Sequence, residues 1–203
     1  MGRYCDRCEK ALKACICAWI KPLKSSTELI ILQHPTEVRR PIGTARILTL
    51  SLGNSRRFVG EDFSEHPELN TLLYEDGYLT CLVYPGEHSV GFSGIKQAAS
   101  DKKIRVILLD GTWRKAYKMW QVSKNLHALP MVHLDPELFG DYKIRKAPKD
   151  NGLSTVEAGY HSLCALEPEQ TEYFQPLLEA FNHMIEFQIK QMPAGVFEKN
   201  YSR

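Results

Sequence analysis

The sequence lacks any apolar run of the ~18–20 residues that a membrane span requires. Its opening residues, MGRYCDRCEK, are polar and have no apolar signal core. Both absences make the cytosol the expected compartment, where cysteines are more often metal ligands or reduced thiols than disulfides. Also missing are a Walker loop, a Gly-x-Gly-x-x-Gly after a strand, a Gly-x-Ser-x-Gly elbow and a His-Glu-x-x-His pair. Nucleotide kinases, Rossmann dehydrogenases, serine hydrolases and the common metalloproteases lose ground accordingly. There is no internal repeat and no low-complexity tract. Nor is there a charge excess of one sign: 26 Lys and Arg stand against 24 Asp and Glu. The balance neither demands nor excludes a polyanionic partner, so local clustering decides.

What is present suits one domain with a small appendage: 203 residues of ordinary globular composition, enough for a core without staples. Residues 1–22 carry four of the six cysteines and end at Pro22, and residues 23–203 form the main domain. Three short apolar runs, Leu29–Leu32, Leu79–Tyr84 and Ile104–Leu109, read as buried strands, each ending in a polar motif. Helices are expected from about Thr44, after Thr112, from Ser154 and over about 171–191. The second has Trp113, Ala116, Tyr117 and Trp120 on one face, as for a core-facing stripe. Ser154 to Glu157 fits a capping box, with Val156, Tyr160 and Leu163 buried behind it. The last carries a stripe of Phe174, Leu177, Leu178, Phe181 and Ile185. Residues 53–77 read as an irregular surface connection. Strands alternating with helices predict an α/β fold, a mostly parallel sheet covered on both faces.

Cys5, Cys8, Cys15 and Cys17 place four thiols within 13 residues. Four thiolates close a tetrahedral zinc site, and Cys-x2-Cys is a common half of one, although the Cys-x-Cys half is tight. A saturated site of this kind is structural. Arg3, Arg7, Lys10 and Lys13 would offset its negative charge. The alternatives are a tail of reduced thiols and a redox pair. Cys81 and Cys164 sit in apolar patterns, as buried reduced cysteines do.

In open α/β sheets ligands bind beyond the carboxyl ends of the strands, and three motifs fall there. His34 to Arg46 holds one His, one Glu and three Arg, suited to phosphates or carboxylates or, alternatively, to internal salt bridges. Tyr84-Pro85-Gly86 exposes backbone or simply turns. Asp110-Gly-Thr112-Trp113 places an acid between a buried strand and a helix start, as a reactive group or as a helix cap. Arg145, Lys146 and Lys149 form a basic loop before Leu153-Ser-Thr-Val-Glu-Ala158.

In this order, the cysteine cluster, His34-Pro-x-Glu37-x-x-Arg40-x-x-x-Thr44-Ala-Arg46, Tyr84-Pro85, Asp110-x-Thr112-Trp113, and Arg145-Lys146-x-Pro148 with Leu153–Ala158 resemble the DTW-domain family, the bacterial tRNA-uridine aminocarboxypropyltransferases. One departure is Gly43, where the family pattern has Asn. The resemblance implies a SPOUT-like sheet with a C-terminal trefoil knot, an exception to unknotted topology. It implies S-adenosylmethionine as donor of a 3-amino-3-carboxypropyl group to N3 of a tRNA variable-loop uridine, position 47, releasing methylthioadenosine. Asp110 would be the general base. Tyr84, Pro85, Gly86, Leu108, Leu109, Leu153, Ser154 and Thr155 would hold the donor, with Thr112 and Trp113 at its border. His34, Arg40, Arg46, Arg145 and Lys146 are candidates for the tRNA backbone or the donor carboxylate, and the cysteine knuckle, with zinc, for a further tRNA contact. A monomer is expected. Competing expectations are a methyltransferase on the same fold and a non-catalytic, zinc-containing RNA-binding module.

Overall fold

In the computed structural model, which describes residues 2–135 and 153–193, five strands form one parallel sheet. They are β1 (Glu28–Gln33), β2 (Ser55–Val59), β3 (Tyr78–Val83), β4 (Lys103–Asp110) and β5 (Met131–Val132), in the order β2-β1-β4-β3-β5. The helices are α1 (Ala45–Ser51), α2 (Pro67–Leu73), α3 (Phe92–Ala99), α4 (Trp113–Val122), α5 (Thr155–Leu166), α6 (Thr171–Phe174) and α7 (Pro176–Lys190). The three expected strands are thus the three central ones. All six residues of β1 are buried, which a parallel strand covered on both faces requires.

Side-chain alternation splits the core in two. Leu29 and Ile31 of β1 join Val106 and Leu108 of β4 under α1, α3, α5 and α7. Ile30, Leu32 and Ile107 point the other way, against Leu69 and Leu72 of α2 and Met119 of α4. The cysteine-bearing segment shares the first of these cores through Cys8, Ile16 and Ile20, and Trp19 stacks on His183 of α7 with ring centroids 3.6 Å apart. Helix α5 comes close to the sheet at Gly159. A Cβ there would lie 2.8 Å from both methyls of the fully buried Leu48.

Three expectations are corrected, and one short strand is added. Residues 53–77 are not simply a connection: they contain β2 and α2. Strand β2 reads SRRFV and lies on the sheet edge, where only Phe58 is buried, so no apolar run announces it. Strand β5, two residues long, is too short to show a period. The helix expected over 171–191 is divided before Pro176, which has no N–H to continue the ladder, although Phe174, Leu177 and Phe181 are buried as expected. On α4 the core-facing residues are Ala116 and Met119, whereas Trp113 and Tyr117 are 46% and 52% exposed. Met119 fills the space over Ile30, Leu32 and Ile107, which turns the aromatic stripe outward.

The topology leaves one crevice. From β1 the chain passes by α1 to one side of the sheet, and from β4 it passes by α4 to the other. Adjacent strands whose connections part in this way open a cleft beyond their carboxyl ends. Gln33 and Asp110, paired in register, are the residues that end them. At the opposite end Glu28 and Arg105 are paired. Arg105, 1% exposed, bonds Glu28 at 2.7 Å, Glu75 at 2.6 Å and the Leu72 carbonyl, with the Tyr78 ring beneath its guanidinium at 3.9 Å. Among the described residues no helix is long and apolar enough to cross a membrane.

Candidate active site at the carboxyl edge of the sheet

A cavity of about 840 Å³ occupies the crevice, within the size range of ligand pockets. Its walls bring together most of the residues expected to hold a donor: Tyr84, Pro85, Leu108, Leu109, Thr112, Trp113, Leu153, Ser154 and Thr155. Asp110 and Arg40 line it too, while Gly86 lies outside the lining. Ile42, Gly43 and Thr44 form a further wall that spacing did not reveal.

Two buried carboxylates line this cavity, Asp110 and Glu37, each 6% exposed, and Asp110 is the one at the end of β4. Thr155 Oγ1 donates to one of its oxygens and Gln33 Nε2 to the other at 2.6 Å. Both donors are neutral. Burial raises the Asp110 carboxyl above its ordinary 3.8, with the Glu37 carboxylate adding to the rise, and the two hydrogen bonds and the charge of Lys10 only partly oppose it. The capping alternative fails: Thr112 is the cap residue of α4, and the Asp110 side chain is engaged elsewhere.

The partners of Asp110 are themselves held. Arg57 donates to Gln33 Oε1 at 3.1 Å, which leaves the amide nitrogen for Asp110. Thr155 is the first residue of α5, and Ser154 and Glu157 form the expected capping box around it: Ser154 N donates to Glu157 at 2.7 Å, and Glu157 N to Ser154 Oγ at 3.4 Å. The next amide, Val156 N, donates to Thr44 Oγ1 at 3.2 Å.

The other expected contacts separate. Arg40 lines the cavity and bonds the buried Glu37 at 3.2 Å. Lys115 reaches Glu37 at 2.6 Å from the other side. His34 sits beside the cavity with its ring nitrogens against Thr36 at 2.9 Å and Glu61 at 3.1 Å. Arg46 turns away, its guanidinium on the Arg7 carbonyl and 3.7 Å from Glu9. Arg145 and Lys146 lie outside the described residues.

The four cysteine sulfurs converge. Cys5 and Cys17 are 3.6 Å apart, Cys8 and Cys15 3.7 Å, and all four lie within 4.8 Å of one another. Sulfurs bound tetrahedrally at ~2.3 Å would stand about 3.8 Å apart, so the cluster fits a metal ion. Backbone N–H groups of Cys8 and Arg7 lower the Cys5 thiol to about 6, while burial pushes Cys17 up to about 12. A bound cation would favour the thiolate at all four. Two residues of this knuckle that motif reading did not single out for the site point inward. Lys10 Nζ donates to the carbonyls of Arg40, Pro41 and Gly43 at 2.9, 2.8 and 2.7 Å. Glu9 meets Arg57 at 2.9 and 3.0 Å.

A parallel sheet with a crevice at its switch point and a buried, basic carboxylate on its floor defines a ligand-binding protein of the α/β class. The DTW domain profile matches residues 2–189, and the chain belongs to the DTW domain family. It is 31% identical to tRNA-uridine aminocarboxypropyltransferase 2 of Drosophila melanogaster, over 91% of this chain and 74% of that protein. It is 30% identical to the Mus musculus protein of the same name, over 97% and 67%. With tRNA-uridine aminocarboxypropyltransferase A of Arabidopsis thaliana it shares 26% identity over 94% and 82%. These relatives are animal and plant proteins, so the expected likeness to specifically bacterial members is not borne out. No solved structure matches the chain.

Proposed function

We propose that the chain is a tRNA-uridine aminocarboxypropyltransferase. It transfers the 3-amino-3-carboxypropyl group of S-adenosylmethionine to N3 of a variable-loop uridine, position 47, and releases methylthioadenosine. The observation that carries this is Asp110: a carboxylate of raised basicity, held by neutral donors alone, on the floor of a cavity large enough for a nucleoside donor. The names and coverage of the relatives support the same reaction.

Uridine N3 is a weak nucleophile until its proton leaves. Asp110 accepts that proton, the freed electron pair on N3 attacks the methionyl Cγ, and the Cγ–S bond breaks with its pair passing to sulfur. The positive sulfonium becomes a neutral thioether. Transfer of this chain, and not of the methyl, depends on which carbon the cavity presents in line. Tyr84, Pro85, Leu108, Leu109, Leu153, Ser154 and Thr155 hold the donor, and Arg40 meets its carboxylate. The exposed rings of Trp113 and Tyr117, with Arg114 on the same helix, offer the tRNA stacking planes and a cation beside the cavity. Tyr84 joins this face to the cavity, stacked on Trp120 at 5.5 Å.

The metal of the cysteine cluster is zinc in this proposal, a structural ion with no open position for chemistry. The sheet order, with Thr155 of α5 reaching the middle strand β4, supports a SPOUT-like course with a trefoil knot. The segment that would complete it, 136–152, lies outside the described residues. The protein acts in the cytoplasm as a monomer.

The test is incubation with unmodified tRNA and S-adenosylmethionine labelled in its carboxyl group, followed by mass spectrometry of nucleosides and by-products. Labelled aminocarboxypropyluridine with methylthioadenosine is the expected result. S-adenosylhomocysteine would assign methyl transfer instead, and tRNA binding without donor binding would leave a non-catalytic module.

A further inference from the structure

The cysteine knuckle and the donor cavity are joined by an ammonium group. Lys10 lies between Cys8 and Cys15 in the chain and is 6% exposed. Its three donors meet three carbonyl oxygens of one turn, those of Arg40, Pro41 and Gly43. The turn is tight: a Cβ on Gly43 would stand 3.2 Å from the Glu37 carbonyl and 3.3 Å from that of Arg40. Carbonyl dipoles that converge so closely repel one another unless a cation sits at their focus. The other surface of the turn is the cavity wall formed by Arg40, Ile42, Gly43 and Thr44.

The knuckle offers this ammonium from a fixed base. Cys5 N donates to the Lys10 carbonyl at 2.8 Å and Glu9 N to the Cys5 carbonyl at 2.9 Å. Glu9 takes the left-handed conformation, with φ of 61°. Its carboxylate grips Arg57, Arg57 fixes Gln33, and Gln33 donates to Asp110. Adjacent residues of the knuckle thus lead to two sides of the cavity, Glu9 to the carboxylate and Lys10 to the wall.

We propose that Lys10 is a positioning residue for the donor, holding the Arg40–Gly43 turn in the shape that binds S-adenosylmethionine. The inference rests on the donor reading of the cavity above. It assigns the knuckle an inward task, separate from any contact with tRNA.

The experiment is calorimetric titration of S-adenosylmethionine into wild type and Lys10→Met, with steady-state kinetics on tRNA and thermal melting to establish that the variant is folded. Three charge-assisted bonds are lost, so donor affinity should fall about tenfold or more. The KM for donor should rise while the KM for tRNA stays within twofold. Equal donor affinity in wild type and variant overturns the positioning role alone. No donor binding by wild type overturns the donor reading and the inference with it. A KM for tRNA that rises as much as that for donor shows a general loss of structure and also overturns the role. If Lys10→Met does not fold, Lys10→Arg is read in the same way. It keeps the charge but its planar donors cannot meet all three carbonyls, so a raised donor KM at unchanged tRNA KM supports the role and an unchanged donor KM overturns it.

Discussion

Strand β4 carries two buried ionisable side chains, Arg105 near its start and Asp110 at its end, and β1 supplies a partner to each, Glu28 and Gln33. At Arg105 the partners are charged: Glu28 and Glu75 close the network, and the Leu72 carbonyl and Tyr78 ring complete it. At Asp110 they are neutral, and the carboxylate lines the cavity. Opposite charges neutralise the one end, which then serves the fold. Neutral donors orient the carboxylate at the other end without neutralising it, and burial leaves it more basic than an aspartate in water. On the proposed reading, one sheet separates holding from reacting along a single strand.

The largest effect that would test this division is at the reacting end. Asp110→Asn should lower transfer by ~10²–10⁴-fold, measured with labelled donor on tRNA; a loss under tenfold would reduce Asp110 to a positioning group. In the wild type, kcat/KM should fall with acid through a pKa above the ordinary 3.8, because the proposed base acts in its unprotonated form. For stability the sign is opposite. The folded protein keeps a proton that the unfolded chain has already lost, so the contribution of Asp110 is full at low pH and disappears as pH rises through its native pKa. At the holding end, Arg105→Met leaves the buried Glu28 with only the half-exposed Arg56 at 3.1 Å. Stability should drop by about 3 kcal/mol in urea titration, with transfer per folded molecule unchanged. A large loss of transfer in fully folded Arg105→Met would break the comparison.

The rim can be probed more gently. Tyr117→Ala should weaken tRNA binding by ~1–3 kcal/mol, the value of one stacked base, seen as a raised KM for tRNA with the donor KM unmoved. Tyr117→Phe should restore it. Gln33→Leu removes a hydrogen bond that lowers the Asp110 pKa, so the acid limb of the rate profile should move to higher pH. A limb that stays in place would show that Gln33 only fills space.

How far the sequence could be read follows the same physics. The central strands were legible because burial on both faces leaves continuous apolar runs, and α5 because its capping box is local chemistry. Strand β2 faces solvent on one side, and β5 is two residues long, so neither leaves a run to find. Trp113 and Tyr117 recur at a core-like spacing, but that spacing shows which residues share a face, not which way the face turns. The cap and base roles of Asp110 could not be separated by spacing either. Ordered motifs favoured the base, and the register of β1 shows what spacing hides, a second polar strand end at Gln33. Arg46 and Lys10 make the point for charge: Arg46 reads as a contact for the tRNA backbone or the donor carboxylate and Lys10 as a counter-charge for the thiolates, yet Arg46 bonds the Arg7 carbonyl and Lys10 the 40–43 turn.

The capping box of α5 has an entropic side. Ser154 and Glu157 satisfy each other within the chain, so Thr155 faces Asp110 before any molecule enters. The corner where chemistry would begin is ordered during folding, and its conformational entropy is lost at that stage. A visitor finds the corner already set. Binding at that corner then costs less ordering entropy than it would against an unset one.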